Sequence, residues 1–317
     1  MNKCLISLFC LLTIVQACGQ PKERVETNGD GPVYRLRVKS SLSYTIQING
    51  ITVATKSQNT GNTRWFLINN SIPVSGGQEL EITILPAMDD DCTNHLAFLG
   101  DVGYDHVFSL SIERTNGVGS ADAASVVYQY DLPEGDYSAQ DVVVHQATFE
   151  AEVPYKLEDW RKGKAFDDAD SAMLKAAVVA FYMKLKYHYE HNDGAEYVKL
   201  IEKGMYNLAQ GAYFELAAFE ELKQNKMNFI DKEPRVLMDI DSCQLEIEGN
   251  GRVLSLRRTD GYNRGEGVLR RTYTKNGQET VHVDDIWLYV PQDSDVTYGP
   301  EMFEVIGYQN LVKPYLP

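Results

Sequence analysis

The stretch "YTIQINGITVATK", residues 44–56, decides how the first half of the chain folds. Tyr44, Ile46 and Ile48 alternate with Thr45 and Gln47, the period of a strand with one buried and one wet face. A second run of β-forming residues starts at Ile51. Between the two sits Asn49-Gly50. A two-residue hairpin of the type I′ class needs positive φ at both central positions, and asparagine followed by glycine supplies that at least cost. The stretch therefore predicts an antiparallel hairpin.

Working outward, "VYRLRVK", "TRWFLIN", "ELEITIL", "HVFSLSIE", "ASVVYQY" and "DVVVHQATFE" repeat the same texture, each closed by turn-forming residues. In "EITILP", Ile82 and Ile84 alternate with Glu81 and Thr83. About eight short strands between residues 33 and 150 predict an all-β sandwich. A polar stretch with Pro154 and mixed charge predicts a linker over residues 151–169.

From residue 170 to the end the period changes. Leu174, Val178, Phe181 and Leu185 recur at helical spacing, and Gly194 lies just past the expected end. "AEYVKLIEKGMYNLA" and "GAYFELAAFEELKQNKM" read as two further helices, the last with a stripe of Ala212, Leu216, Phe219 and Leu222 and a stop at Pro234. Beyond Arg235 the alternation returns. "SCQLEIE", "RVLSLRR", "GVLRRTYT", "ETVHVDDIWLYV" and "MFEVIGYQ" predict five strands in a meander, with turns at Gly249-Asn250-Gly251, Asp260-Gly261 and Asn276-Gly277. Three helices followed by an antiparallel sheet make an α+β domain over residues 170–317. The chain is thus expected to be multidomain. The order of helices and sheet resembles the NTF2-like (cystatin-like) folds across roughly residues 170–310, although no strand precedes the third helix as it does in that family. The resemblance implies a conical cavity between sheet and helices, used by relatives for ligand binding, catalysis or dimerisation.

The amino terminus reads as an address. Lys3 is followed by an apolar run from Cys4 to Val15, about a dozen residues where a bilayer span needs ~20. Such a run matches the h-region of a secretory signal. Val15-Gln16-Ala17-Cys18 resembles the bacterial lipobox, with Gln16 a departure from its usual small or aliphatic residue. The resemblance implies removal of residues 1–17 as a signal peptide and acylation of Cys18, palmitate included, so that the bilayer is one partner. Residues 18–32 would form the lipidated tether. Gly19 and Gln20 lack the aspartate that in lipoproteins often signals inner-membrane retention, which implies the outer membrane, on its periplasmic or surface side. Cys4 and Cys10 are then discarded, and Cys92 and Cys243 remain as thiols in a compartment that permits a bridge. Loss of residues 1–17 removes one lysine and no acid, taking the formal charge from −15 to −16. That charge disfavours nucleic acid and anionic lipid head groups as partners and favours solubility, so that the lipid and not charge would hold the protein to the membrane.

Four residues are candidates for chemistry. His282 and Asp284 share a strand face in "VHVDDIWLYV", and Asp239 and Asp241 in "MDIDS" could meet them as a metal or acid–base site, although no spacing here is diagnostic of a metal. Arg257, Arg258, Arg270 and Arg271 are candidates for binding an anionic ligand or partner. With Arg252 and Arg264 they give residues 252–271 six arginines against Asp260 and Glu266. Guanidinium forks bind carboxylate or phosphate in a bidentate way. Cross-strand pairing with Glu246, Glu248, Asp284 and Asp285 is the competing reading. His188 and His191 lack zincin spacing and read as cap residues of a last helical turn. "DDDCTNH", residues 89–95, fails as an EF-hand, since Asn94 and Gly100 fall where glycine and glutamate are required. Tyr182, Tyr187, Tyr189, Tyr197, Tyr206 and Tyr213 crowd the helices and would suit an amphipathic ligand or the edge of a core. No G-x-S-x-G, P-loop, G-x-G-x-x-G after a strand or C-x-x-C is present. No metal or cofactor is implied. The expectation is a non-catalytic envelope lipoprotein that binds an unknown protein or small-molecule partner, an immunity-type inhibitor being one form. The alternative is an envelope hydrolase or isomerase working through Asp239, Asp241, His282 or Asp284.

Overall fold

A computed structural model describes residues 31–56, 62–88, 94–101, 107–117, 123–166, 171–232, 235–259, 264–295 and 298–314. The signal, Cys18, most of the tether and Cys92 lie outside these residues. Eight strands make up the first half: β1 (Val33–Ser40), β2 (Ser43–Ile48), β3 (Ile51–Lys56), β4 (Asn62–Leu67), β5 (Gly76–Leu85), β6 (Phe108–Thr115), β7 (Ser125–Asp131) and β8 (Val143–Ala151). They form two antiparallel four-stranded sheets, ordered β4-β1-β6-β7 and β3-β2-β5-β8. Period-two burial explains why they share one core. Leu36, Val38, Leu110 and Ile112 from the first sheet, and Ile46, Ile48, Ile82 and Ile84 from the second, are all fully buried in it.

The β2–β3 turn has φ of 52° at Asn49 and 75° at Gly50, as a type I′ turn requires. Asn49 is also a fastener. Its Nδ2 donates to Ser71 O at 2.8 Å and to Gln78 Oε1 at 2.9 Å, and its Oδ1 accepts from Glu79 N at 3.1 Å.

The segment expected to be a linker is a strap. Val153, Tyr155 and Leu157 are buried at alternate positions in the first core, and Trp160 is buried just beyond. The Tyr155 hydroxyl donates to Asn69 O at 2.8 Å. The outward partners Glu152, Pro154 and Lys156 gave the stretch its polar, turn-like texture and hid this role.

In the second half, α1 (Ser171–Glu190), α2 (Gly194–Gly211) and α3 (Leu216–Asp231) precede β9 (Cys243–Glu248), β10 (Val253–Arg258), β11 (Leu269–Lys275), β12 (Gln278–Tyr289) and β13 (Glu304–Pro314). Leu174, Val178, Phe181 and Leu185 of α1 are buried as expected. The stripe expected on the third helix is not the observed one. Ala212 caps α2 and Leu216 is 46 % exposed, whereas Phe219, Lys226 and Ile230 face inward.

The sheet is antiparallel but is not a plain meander. β12, twice as long as β10, pairs with β13 along one edge and divides its other edge between β11, over Gln278–Asp284, and β10, at Leu288. The α2 helix lies close on β13. A Cβ at Gly204 would stand 2.8 Å from Val305 Cγ1 and 3.0 Å from the Gly307 backbone, so only glycine lets the helix approach.

The two halves meet in a joint. Gly249 N donates to Gly50 O at 2.8 Å, bringing together the turns of two hairpins. Ile51 and Trp160 pack with Val253, Trp287, Tyr289 and Ile306 in a small shared core. Beyond α2, Tyr213 inserts its ring into the first core and donates its hydroxyl to Pro32 O at 2.7 Å.

Candidate functional site

Alternation along β12 turns His282, Asp284, Ile286 and Leu288 toward the helices. The register then sets Arg271 beside His282 and Asn310 beside Asp284. Onto this face α2 lowers Tyr197 and α3 lowers Lys226. The result is a buried polar centre. Asp284 Oδ2 accepts from Lys226 Nζ at 2.6 Å and from the Tyr197 hydroxyl at 2.7 Å. Its Oδ1 accepts from the Tyr308 hydroxyl at 2.9 Å and from Asn310 Nδ2 at 2.8 Å. An ionised carboxylate offers about four lone-pair sites, so this one is saturated. The Lys226 ammonium also lies 5.4–5.9 Å from the ring centroids of Tyr189, Tyr197, Phe229 and Tyr308. The chain thus fills its own aromatic cage with its own cation.

Burial alone would raise the Asp284 carboxyl, but the Lys226 charge, then His282 and the donated hydrogen bonds, bring it down to about 2. Burial lowers the Lys226 ammonium by more than Asp284 raises it. The two partners move in a way that shows how costly the pair is to bury: attraction wins at the carboxylate and desolvation wins at the amine. Tyr197 and Tyr308 are pushed far up, first by burial and then by the Asp284 charge, and stay protonated donors. His282 lies 2.6 Å from Asn310 Nδ2. Because the amide is the donor, His282 Nε2 accepts and the ring proton is assigned to Nδ1. Burial holds this imidazole down to about 4, so it is neutral at pH 7.

His282 and Asp284 are therefore brought together, with Asn310 between them, while Asp239 and Asp241 are not. Those two side chains are 90 % and 72 % exposed and sit 3.7 Å from Lys186 and 3.9 Å from Arg258. The expected four-residue acid–base set does not assemble, because the segment leading into β9 runs along α1, β11 and the end of β10 with both carboxylates turned to solvent. Lys186 pins that segment by donating to Leu237 O at 2.7 Å and to Glu190 at 2.9 Å.

The arginines do not form one patch either. Neighbours in sequence face opposite sides of the sheet. Arg257 is buried, with Nη1 donating to both Asp285 carboxylate oxygens at 2.5 Å, beside the Trp287 ring. Arg270 is fully buried and donates to Glu266 at 2.5 Å. Arg258 is buried beside Asp241. Arg271, on the helix face, stacks on Phe229 and Tyr273, 4.6 and 4.7 Å from their centroids. For Arg257 and Arg270, pairing with acids inside the protein replaces an open anion site.

His188 bonds Asp193, the cap of α2, at 2.9 Å, and His191 donates to Tyr187 O at 2.8 Å. Cys243 is a free, half-buried thiol. Among the described residues no group of three or more His, Cys, Asp or Glu side chains could hold a metal ion, and no helix is long and apolar enough to cross a membrane. Sequence reasoning missed Lys226, Tyr308 and Asn310. The signal for Lys226 was its position seven after Phe219 and four before Ile230. For the other two it was their shared phase on β13.

A separate cleft of about 520 Å³ opens beside the joint. Glu158, Lys203, Tyr289, Asp293, Glu301 and Glu304 line it, and its walls carry five carboxylates against two lysines. The Tyr289 hydroxyl donates to Glu304 at 2.8 Å, and Lys203 bonds the same carboxylate. Burial and then Glu304 raise the phenol far above its ordinary range, so it remains a donor. Comparison of the chain with protein-family models, with curated proteins and with solved structures finds no match.

Proposed function

We propose that the chain is a lipoprotein of the bacterial envelope, anchored through acylated Cys18 in the outer membrane, which binds a protein partner or small ligand and performs no chemistry on it. The observation that supports binding over catalysis is the saturation of Asp284. A general base needs a free lone pair within hydrogen-bond reach of substrate. Here all four are spent on Lys226, Tyr197, Tyr308 and Asn310. His282, the remaining candidate, is buried, neutral and bonded to Asn310. In this reading the first half is a β-sandwich serving as stalk or recognition module. The second half is NTF2-like, with the polar centre filling the space where such folds keep a cavity.

The ligand then enters at the cleft, whose excess of carboxylates suits a cationic group or the basic surface of an incoming protein. An immunity-type inhibitor of a basic toxin is the form this favours. The test is capture of partners by the detergent-extracted full chain and by its Asp293→Lys/Glu301→Lys variant. A partner held by the parent chain in a salt-dependent manner and lost by the variant is the expected result. Equal recovery by both proteins overturns the assignment of the cleft. Tight binding of a neutral metabolite with no protein recovered removes the immunity form.

A further inference from the structure

The strand that opens the fold carries a second, unassigned surface. On β1 the outward residues are Arg35, Arg37 and Lys39, the last two exposed. Among the described residues none of the three makes a side-chain ion pair, which is unusual in a chain of net charge −15. The register places Leu67 beside Arg35, Trp65 beside Arg37 and Thr63 beside Lys39 on the neighbouring edge strand. Trp65 is 52 % and Leu67 60 % exposed, and the Arg37 guanidinium lies 5.2 Å from the Trp65 ring centroid. On the other side of β1, Glu113 stands beside Arg35, and Val126, 56 % exposed, stands beside Glu113. The face is flat. It mixes an indole, two aliphatic side chains and three cations with two carboxylates, Glu113 beside Arg35 and Asp131 at the far edge beyond Ser109.

We infer that this face docks on a bilayer surface bearing anionic head groups and sets the orientation of the anchored protein. Tryptophan prefers the interfacial layer, and arginine and lysine reach from apolar stems to head-group phosphates. Each cation near an anionic surface contributes about 1 kcal/mol, roughly fivefold in partitioning, and Glu113 and Asp131 offset part of the sum of three. The rest of the molecule, being acidic, is repelled by the same surface, so one face is selected. The occupant is chosen by position as well as charge, and here the inference rests on the lipid anchor proposed above. Fourteen residues separate Cys18 from Val33, at most about 50 Å of extended chain. The strand that bears the cations is the first after that anchor among the described residues.

The experiment uses the full chain reconstituted into vesicles of phosphatidylcholine, with or without phosphatidylglycerol, carrying brominated acyl chains. Trp160 and Trp287 are 4 % and 8 % exposed, so quenching by bromine reports Trp65. Expected are a blue shift and quenching severalfold stronger in anionic vesicles, absent in Trp65→Phe and in Arg35→Glu/Arg37→Glu/Lys39→Glu. The triple variant changes only outward side chains, and an unchanged thermal midpoint will show that it folds. Vesicle-bound protein with no quenching overturns the inference. So does equal quenching in neutral vesicles, or a Trp65 shift produced by soluble oligosaccharide and not by lipid. Flotation with neutral vesicles, compared between the parent chain and Cys18→Ala, tests the anchor separately. A parent chain that fails to float there while Trp65 is still quenched in anionic vesicles refutes the anchor and leaves the docking face standing.

Discussion

Replacing His282 by glutamine should flatten the acid limb of the stability curve. The folded imidazole is held down to about 4 from an ordinary value of 6.5, first by burial and then by the Lys226 and Arg271 charges, against the opposing pull of Asp284. Between these values the unfolded chain binds a proton that the folded chain does not. Stability therefore rises with pH through the window: the contribution is fully present above 6.5 and is lost as pH falls to about 4. At ~1.4 kcal/mol for each unit, the loss is about 3 kcal/mol, a large share of the 5–15 kcal/mol typical of a domain. Glutamine can accept the Asn310 hydrogen bond through Oε1 and does not titrate. The assay is urea unfolding of both full chains at several values between pH 7 and pH 4.5. Ordinary carboxylates titrate in both proteins, so the informative quantity is the difference between the two. That difference should shift by roughly 2–3 kcal/mol in favour of the variant across the window. A difference that stays flat would show that His282 is not held neutral by its surroundings, and the reasoning would fail.

Two further perturbations probe the same half of the molecule. Lys226→Met should cost about 3–5 kcal/mol, because it leaves the Asp284 charge buried without its cation, while adding Asp284→Asn should recover much of the loss; a single variant within ~1 kcal/mol of the parent in urea unfolding would contradict the pairing. Gly204→Ala should lower stability by about 1–3 kcal/mol, since the new methyl would meet Val305 and the Gly307 backbone at 2.8–3.0 Å, and an unchanged thermal midpoint would mean α2 can lift from β13 at no cost.

The elements were legible wherever one face of a strand or helix is buried and the other is wet. Strands such as β1, β2 and β5 and the helix α1 show that periodicity, and Asn49-Gly50 marks its turn without help from the rest of the chain. By contrast, β10 is buried at every position and was legible by its β-forming residues and flanking turns. What periodicity does not encode is adjacency. Lys226 and Asp284 are 58 positions apart, and Tyr197 and Asp284 are 87 apart. Nothing local brings them together, and a lysine on the inward phase of α3 contradicts the rule by which that phase is recognised. The arginine-rich run shows the converse. It is dense in sequence, yet β-geometry sends Arg257 and Arg270 to one face and Arg258 and Arg271 to the other. The acid candidates divided for the same kind of reason: His282 and Asp284 lie on a strand whose phase is fixed by Ile286 and Leu288, whereas Asp239 and Asp241 lie on an irregular segment whose path is set by Lys186 and Glu190 of α1.

The joint between the halves favours the cleft over the polar centre as the place of the binding proposed above. Tyr289 belongs to both structures: its ring packs in the shared core with Trp160 and Ile51, and its hydroxyl projects to Glu304 and Lys203 in the cleft wall. Glu158 lies in the strap between Leu157 and Trp160, which are buried in the first core and in the shared core respectively. The cleft is thus held by side chains whose neighbours are fixed from both halves, and rigid support of this kind is what lets a surface site bind without first paying to order itself. The polar centre has the opposite character. Its donors and acceptors are matched to each other, so a ligand entering there would have to replace four hydrogen bonds to Asp284 and the Lys226 cation together. That exchange leaves buried polar groups unpaired at each intermediate step, whereas a cation approaching the cleft meets carboxylates already facing water.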